Sequence, residues 1–183
     1  MDDGVDSYRR FLAGEQEAFG DVMERYREKL IFFLNRYVCC LSEAEELAED
    51  VFVELLLHPW RERSGATLKT YLFTIGRNKA LNHLRRVSHL SPSPLEEMDI
   101  ADRRSLEEKF LRREQQRSLH KVLDTLPEAY RTVLHLLYFE GMSHREAAQV
   151  MKQNEKQIDN LSYRARRMVR ERLEKEGFRY EEP

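Results

Sequence analysis

The chain has 183 residues, 41% hydrophobic and 35% charged, which suits one large or two small domains. Seven Gly and five Pro are too few for a turn-rich sandwich or barrel, so helices with one apolar stripe are the expected way to bury a core. A net charge of −2 decides nothing about nucleic acid by itself, because what matters is where the charges fall along the chain.

The N-terminus, Met1-Asp2-Asp3-Gly4, is acidic and polar, unlike a signal peptide. Phe11, Phe19, Val22, Met23, Tyr26, Leu30, Phe33, Leu34 and Tyr37 recur mostly three or four residues apart, which predicts a short helix and then a long one ending near Val38. Cys39 and Cys40 are adjacent and lack the companions of a zinc motif, so a reduced, cytoplasmic protein is expected. Ser42 and Glu45 read as a capping box for a helix over about residues 42–58, stopped by Pro59. Its stretch 41–54 holds six acids (Glu43, Glu45, Glu46, Glu49, Asp50, Glu54) and no base. The longest apolar run, Val51 to Leu57, is interrupted by Glu54 and falls far short of the roughly 20 residues of a membrane span. No membrane insertion is expected.

A loop over 61–66 leads to a helix over about 67–86, with Leu68, Leu72, Ile75, Leu81 and Leu84 expected inside. The stretch 61–86 carries seven bases (Arg61, Arg63, Lys69, Arg77, Lys79, Arg85, Arg86) and the single acid Glu62. Trp60, Tyr71 and Phe73 are expected in the core. Residues 88–105 break the pattern: Ser91-Pro92-Ser93-Pro94 cannot continue a helix, and Glu96, Glu97, Asp99 and Asp102 follow. They read as a flexible acidic linker. Helix is expected again over 106–124, and then from Pro127, in the first turn of the next helix, to Gly141, at its C-terminal cap.

Ser143 and Glu146 form a second capping box, opening a helix of about two turns in which Ala147 and Ala148 allow close approach. A break at Lys152-Gln153-Asn154 precedes a longer helix with Ile158, Leu161, Ala165 and Met168 inside and Lys156, Asn160, Tyr163, Arg164, Arg167 and Arg170 outside. A short helix, a tight turn and a basic second helix read as a helix-turn-helix. Lys152 or Asn154 takes any left-handed conformation the turn needs, at about 1–2 kcal/mol for Lys. The bland alternative, a helical hairpin with a solvated basic face, explains the basic residues but not the capping box and the small residues.

Taken together, these segments resemble the extracytoplasmic-function sigma factors, the smallest group of the sigma-70 family of bacterial RNA polymerase initiation subunits. Ala44-Glu45-Glu46-Leu47-Ala48-Glu49-Asp50-Val51-Phe52 is similar to the family's polymerase-binding stretch. The segment from Leu68-Lys69-Thr70-Tyr71 through Arg77-Asn78 to Leu84-Arg85-Arg86 resembles the part that recognises and opens the minus-ten element. Leu126-Pro127-Glu128-Ala129-Tyr130-Arg131, Gly141-Met142-Ser143 and Tyr163-Arg164-Ala165-Arg166 resemble the minus-thirty-five domain. The family often has Trp where Tyr71 stands and Gly where Lys152 stands.

The resemblance implies an all-α chain of two small domains: 5–87 for core polymerase and the minus-ten element, a linker over 88–105, 106–175 for the minus-thirty-five element, and a tail over 176–183. Glu45, Glu46, Glu49, Asp50 and Phe52 are then expected to bind core polymerase at its beta-prime clamp. Arg63, Ser64, Gly65, Arg77, Asn78, Lys79, Asn82, Arg85 and Arg86 are expected on minus-ten DNA, with the loop 63–66 holding a base out of the stack. Lys156, Gln157, Asn160, Tyr163, Arg164, Arg167 and Arg170 are expected on minus-thirty-five DNA, with the beta flap as the second polymerase contact. The resemblance also admits an anti-sigma factor as partner. No enzyme chemistry, metal or cofactor is expected: the six histidines are scattered, and neither HExxH, nor a P-loop lysine motif, nor GxGxxG occurs. Two other readings fit the residues less fully. One is a stand-alone helix-turn-helix regulator, the other a helical adaptor that binds only protein.

Overall fold

The computed structural model describes residues 4–62, 65–90 and 121–175, the side chains of 89 and 90 excepted. The chain divides into two compact units, 1–102 and 103–183, and the described residues of both are helical, without strands.

In the first unit α1 (Val5–Leu12), α2 (Ala18–Val38), α3 (Leu41–Leu57) and α4 (Leu68–Leu90) follow one another. Helix α2 is the central element and packs on α1, α3 and α4. Its Val22, Tyr26, Leu30, Phe33, Leu34 and Tyr37 are buried, at the spacing that puts them on one stripe. Each such side chain contributes about 1.5–3 kcal/mol on leaving water. Phe11, Phe19 and Phe52 join α1 and α3 to that core through ring contacts at 4.9 and 6.2 Å.

The inner face of α4 is Leu68, Leu72, Phe73 and Ala80, all fully buried, with Gly76 between them. Ile75, Leu81 and Leu84, expected inside, are only half-buried. Gly76 faces α2 and α3, where a Cβ would stand 3.4 Å from Leu34 and 3.6 Å from both Leu30 and Val51, at ordinary van der Waals distance. The side of α4 turned to its neighbours therefore runs along the 72–76–80 stripe. Trp60 and Phe73 lie in the core as expected, at 6% and 0% exposure.

Two boundaries differ from the sequence reading. Helix α3 starts at Leu41 with Cys40 as N-cap and no side-chain cap bond, so the Ser42/Glu45 capping box does not form. Cys39 is left-handed (φ 55°) and Cys40 extended, and this turn carries the chain into the helix ahead of Ser42. Helix α4 runs to Leu90, so the first residues of the expected linker are helical. The first breaker is Pro92, which disfavours helix at the residue before it. The rest of the linker, the helix expected over 106–120 and the tail 176–183 lie outside the described residues.

The described part of the second unit begins with a helical turn over 121–124. Pro127 is the N-cap residue of α5 (Glu128–Leu134) rather than a member of its first turn. The expected helix to Gly141 widens into a π turn over His135–Phe139. There the buried His135 ring stacks on Phe139 at 5.5 Å, and its Nε2 lies 3.5 Å from the Glu140 carboxylate. Gly141 is left-handed, with φ +62°. Helix α6 (His144–Met151) opens with the complete Ser143/Glu146 capping box, and α7 (Glu155–Lys175) follows. Helix α7 packs on α5 and α6 through Ile158, Ser162, Ala165 and Leu173, with Ala147 and Ala148 buried on α6.

Between α6 and α7 the left-handed residue is Lys152, φ 54° and ψ 46°. The Gln153 N–H donates to Ala148 O at 3.0 Å and the Lys152 N–H to Gln149 O at 3.3 Å, the paired bonds of a Schellman cap. Replacing Lys152 by Gly is expected to stabilise the second unit by about 0.5–1 kcal/mol, the relief of left-handed strain less glycine's entropy. Slower amide exchange in α6 and α7 of the full chain, with α1–α4 unchanged, is the expected measurement. Faster exchange would show that the lysine side chain contributes more than its backbone costs.

Candidate functional site

Three exposed helix faces collect the residues singled out in the sequence. On α3, Glu46, Glu49 and Asp50 are exposed and Glu45 half-exposed. Continuing the same side at helical spacing, Val53, Leu56 and Leu57 are 51%, 46% and 68% exposed. This is an acidic face with an apolar end. Phe52 is not part of it. At 2% exposure it lies on the inner stripe with Ala48, Val51 and Leu55, edge-on to Phe19. Of the apolar residues the sequence sets beside the inner face of this helix, Phe52, Val53 and Leu56, the last two are exposed, and Leu57 joins them.

Several α3 acids are answered from within the unit. Glu43 lies 3.1 Å from His83 Nε2, Asp50 and Glu54 lie 3.8 and 3.6 Å from Lys79 Nζ, and Glu49 lies 3.9 Å from Arg27. At this exposure each pair is worth at most about 1 kcal/mol. Lys79, expected on DNA, is thereby turned to the α3 side of α4, its side chain only 25% exposed. It lies one residue away from the outward stripe, and a 100° step along the helix moves it to the flank.

The outward stripe of α4 is Asn78, Asn82 and Arg85, three or four residues apart. Asn82 and Arg85 are exposed and Asn78 is half-exposed. Arg85 Nη1 donates to Asn82 Oδ1 at 3.4 Å. Arg86 is exposed and Arg77 half-buried. Tyr71, near the start of this side, donates its hydroxyl to His58 O at 2.8 Å. Burial pushes its phenol above the ordinary tyrosine value, and the Glu54 charge adds to the rise. Gly65 is exposed with φ +74°. Arg63 and Ser64 lie outside the described residues.

On α7, Lys156, Gln157, Asn160, Tyr163, Arg164, Arg167 and Arg170 are all exposed, Tyr163 at 61%. Asn160, Tyr163, Arg164 and Arg167 line a shallow open groove with Met168 and Glu171, whose far wall is Tyr130 of α5. Tyr130 belongs to the segment 126–131 that the sequence likened to the minus-thirty-five domain, without being named as a site residue. Arg167 Nε pairs with Glu171 at 3.4 Å, and His144 of α6 lies 3.3 Å from Asp159.

A second capping box went unread in the sequence. Gln157 N donates to Asn154 Oδ1 at 2.8 Å, and Asn154 N donates to Gln157 Oε1 at 2.9 Å. The signal was Asn followed three residues later by Gln. It restricts what Gln157 can do, because one acceptor site of its carbonyl is taken by the cap and the side chain is held in that orientation, with its amide donors left for a ligand.

Chemically, the α4 and α7 faces offer amide groups, arginines and one exposed phenol ring, the equipment for phosphate and base-edge contact. Among the described residues no group of three or more His, Cys, Asp or Glu gathers as a metal site, and no helix is long and apolar enough to cross a membrane.

Comparison with known proteins bears on the same segments. The family profile for sigma-70 region 2 matches residues 22–89, and that for sigma-70 region 4 matches 116–169. The RNA polymerase sigma-H factor of Pseudomonas aeruginosa is 29% identical over 175 residues, covering 90% of this chain and 91% of that one. The ECF RNA polymerase sigma factor RpoE of Cereibacter sphaeroides is 28% identical over 144 residues, 73% and 74% of the two chains. Among solved structures, CnrH in complex with the cytosolic domain of CnrY is similar in fold, with TM-score 0.64, 22% identity and 93% and 94% coverage. So is the sigma factor RpoE in complex with the anti-sigma factor NepR from Bartonella quintana, with TM-score 0.64, 20% identity and 86% and 98% coverage.

The α7 cap yields a direct check. Asn154→Ala is expected to cost the second unit about 1 kcal/mol, and Asn154→Asp close to nothing, since aspartate caps equally well. The reading is amide exchange at Gln157 and Ile158 in the full chain. Equal protection in both variants would mean that the bonds to Asn154 do not hold the start of α7.

Proposed function

This chain belongs to the sigma-70 family, in its extracytoplasmic-function group, and on that premise we propose that it directs core RNA polymerase to promoters through both a minus-ten and a minus-thirty-five element and assists promoter melting. Proteins of this family regulate transcription initiation and bind DNA. The finer division of labour is the proposal.

The observation that carries it is the α7 face: Lys156, Asn160, Tyr163, Arg164 and Arg167 stand exposed in one row on the second helix of a helix-turn-helix whose turn is closed by backbone bonds and whose two helices open with side-chain capping boxes. Residues near the start of α7 meet base edges of the minus-thirty-five element, and the arginines further along neutralise phosphate. In the first unit, Asn78, Asn82 and Arg85 meet the minus-ten element beside Arg77, Arg86 and the 63–66 loop. Capture of an unstacked base there offsets the few kcal/mol of unpairing. No catalytic step is needed in this subunit, because binding free energy opens the duplex and the polymerase makes RNA.

The α3 face docks on the beta-prime clamp. Glu45, Glu46, Glu49 and Asp50 meet its basic surface, and Val53, Leu56 and Leu57 supply the apolar area. The second unit docks on the beta flap. The segment 88–105 joins the two DNA-binding parts, 5–87 and 106–175, and the setting is the cytoplasm. An anti-sigma factor is a further proposed partner, since the solved relatives RpoE and CnrH were each captured with a protein bound.

Two experiments test this reading. Replacing Glu49 and Asp50 by Lys should weaken core binding at least tenfold, about 1.4 kcal/mol or more, with helical circular dichroism unchanged. Unchanged affinity for core would sink the clamp assignment. Asn78→Ala should be partly rescued by a pre-melted bubble, whereas Arg164→Ala should cost little once the upstream element has been scrambled. Open-complex yield of holoenzyme on the intact, pre-melted and upstream-scrambled templates separates the two, and identical responses from both variants would refute the division of labour.

A further inference from the structure

The connection between α3 and α4 is held from outside by α1. Trp60 is buried, and its ring centroid lies 6.1 Å from that of Tyr8. The Trp60 backbone N–H donates to the Tyr8 hydroxyl at 3.1 Å. The Trp60 indole N–H donates to Ala66 O at 2.9 Å. One residue along α1, Arg9 Nη2 pairs with Glu62 Oε1 at 2.7 Å. On the far side, Thr67 Oγ1 accepts from Thr70 N at 3.1 Å and opens α4. The first stem, 60–62, is thus tied to a helix some fifty residues earlier in the chain, and the second, 65–67, is tied to the first through Trp60.

The bonds are of two kinds. The Tyr8–Trp60 contact is buried, and a buried N–H left without a partner is costly. It holds the stem rigidly whether or not DNA is present. Burial pushes the Tyr8 phenol above the ordinary tyrosine value, against the opposing effect of the Trp60 N–H. The hydroxyl therefore stays neutral, and its oxygen accepts the bond. The Arg9–Glu62 pair is different. Both side chains are more than half exposed, so it adds little to stability. What it does is local: it neutralises the single acid of the 61–86 stretch, next to a surface meant for phosphate, and holds Glu62 toward α1.

We propose that Tyr8, Arg9 and Trp60 are positioning residues that set the backbone from which Gly65 and Ala66 face an unpaired base of the promoter. The inference rests on the reading that this connection meets the melted strand. A rigid stem matters there because selecting one base over another requires contacts held to a fraction of an ångström, whereas phosphate neutralisation tolerates motion. Helix α1 therefore acts on base choice without touching DNA.

The test uses holoenzyme assembled from the full chain and a promoter series carrying each of the four bases at every unpaired non-template position of the minus-ten element. Tyr8→Phe, Arg9→Gln, Glu62→Gln and the double Arg9→Gln/Glu62→Gln variant are compared with wild type. Open-complex yield should lose base preference at one position, roughly threefold to tenfold, with core binding and helical circular dichroism unchanged. The double variant should be no worse than the more damaging single one, as expected for two groups acting through one bond. If Tyr8→Phe lowers stability, the exposed pair still decides the matter. Base preference intact in Arg9→Gln and Glu62→Gln, or yield lowered equally at every position, would overturn the inference while leaving the melting reading in place. Wild-type holoenzyme indifferent to base identity throughout the element would instead remove that reading, and this inference with it.

Discussion

The first unit depends on which side α4 turns toward α2 and α3. Gly76 lies where α4 meets Leu30 and Leu34 of α2 and Val51 of α3, in line with the buried Leu72 and Ala80. Because an α-helix is stiff, fixing the 72–76–80 stripe inward fixes every other direction around α4. Asn78, Asn82 and Arg85 face outward as a consequence. Lys79 and His83 fall on the flank toward α3, within 4 Å of its acids. A single packing constraint thus divides the basic residues of α4 between an outward polar face and an internal electrostatic seam.

That seam also shapes α3. Its inner stripe is apolar, and its flank toward α4 is partly neutralised by Lys79 and His83. Glu49 and Asp50 also lie within 4 Å of Arg27 and Lys79, respectively. What is exposed to a partner is Glu46, Glu49 and Asp50 with the half-exposed Glu45, together with Val53, Leu56 and Leu57. The combination is complementary to a basic surface with an apolar centre.

The second unit relies on backbone chemistry more than on area. It is small, so the angle between α6 and α7 cannot be left to packing alone. The Ser143/Glu146 box opens α6, the Schellman bonds around Lys152 close it, and the Asn154/Gln157 box opens α7 two residues later. Each device satisfies orphaned backbone groups at a helix end and leaves the chain little freedom between them. The cost is one non-glycine residue in the left-handed region.

Much of this was legible in the sequence because helical periodicity and capping chemistry are local. The sequence by itself determined the helix order, the Ser143/Glu146 box, the left-handed turn at Lys152 or Asn154, and the exposed basic row of α7. Patterns repeating every three or four residues need no knowledge of neighbours. Only the tertiary structure decided which side of a helix a borderline residue takes. Phe52 and Lys79 each sit at the edge of a stripe, where a rotation of a few tens of degrees moves a side chain between core, flank and solvent. That rotation is set by partners far away in the chain: Phe19 for Phe52, Asp50 and Glu54 for Lys79, Leu34 for Gly76. The tie from Tyr8 to Trp60, spanning 52 residues, was hidden for the same reason, since long-range hydrogen bonds leave no spacing to read.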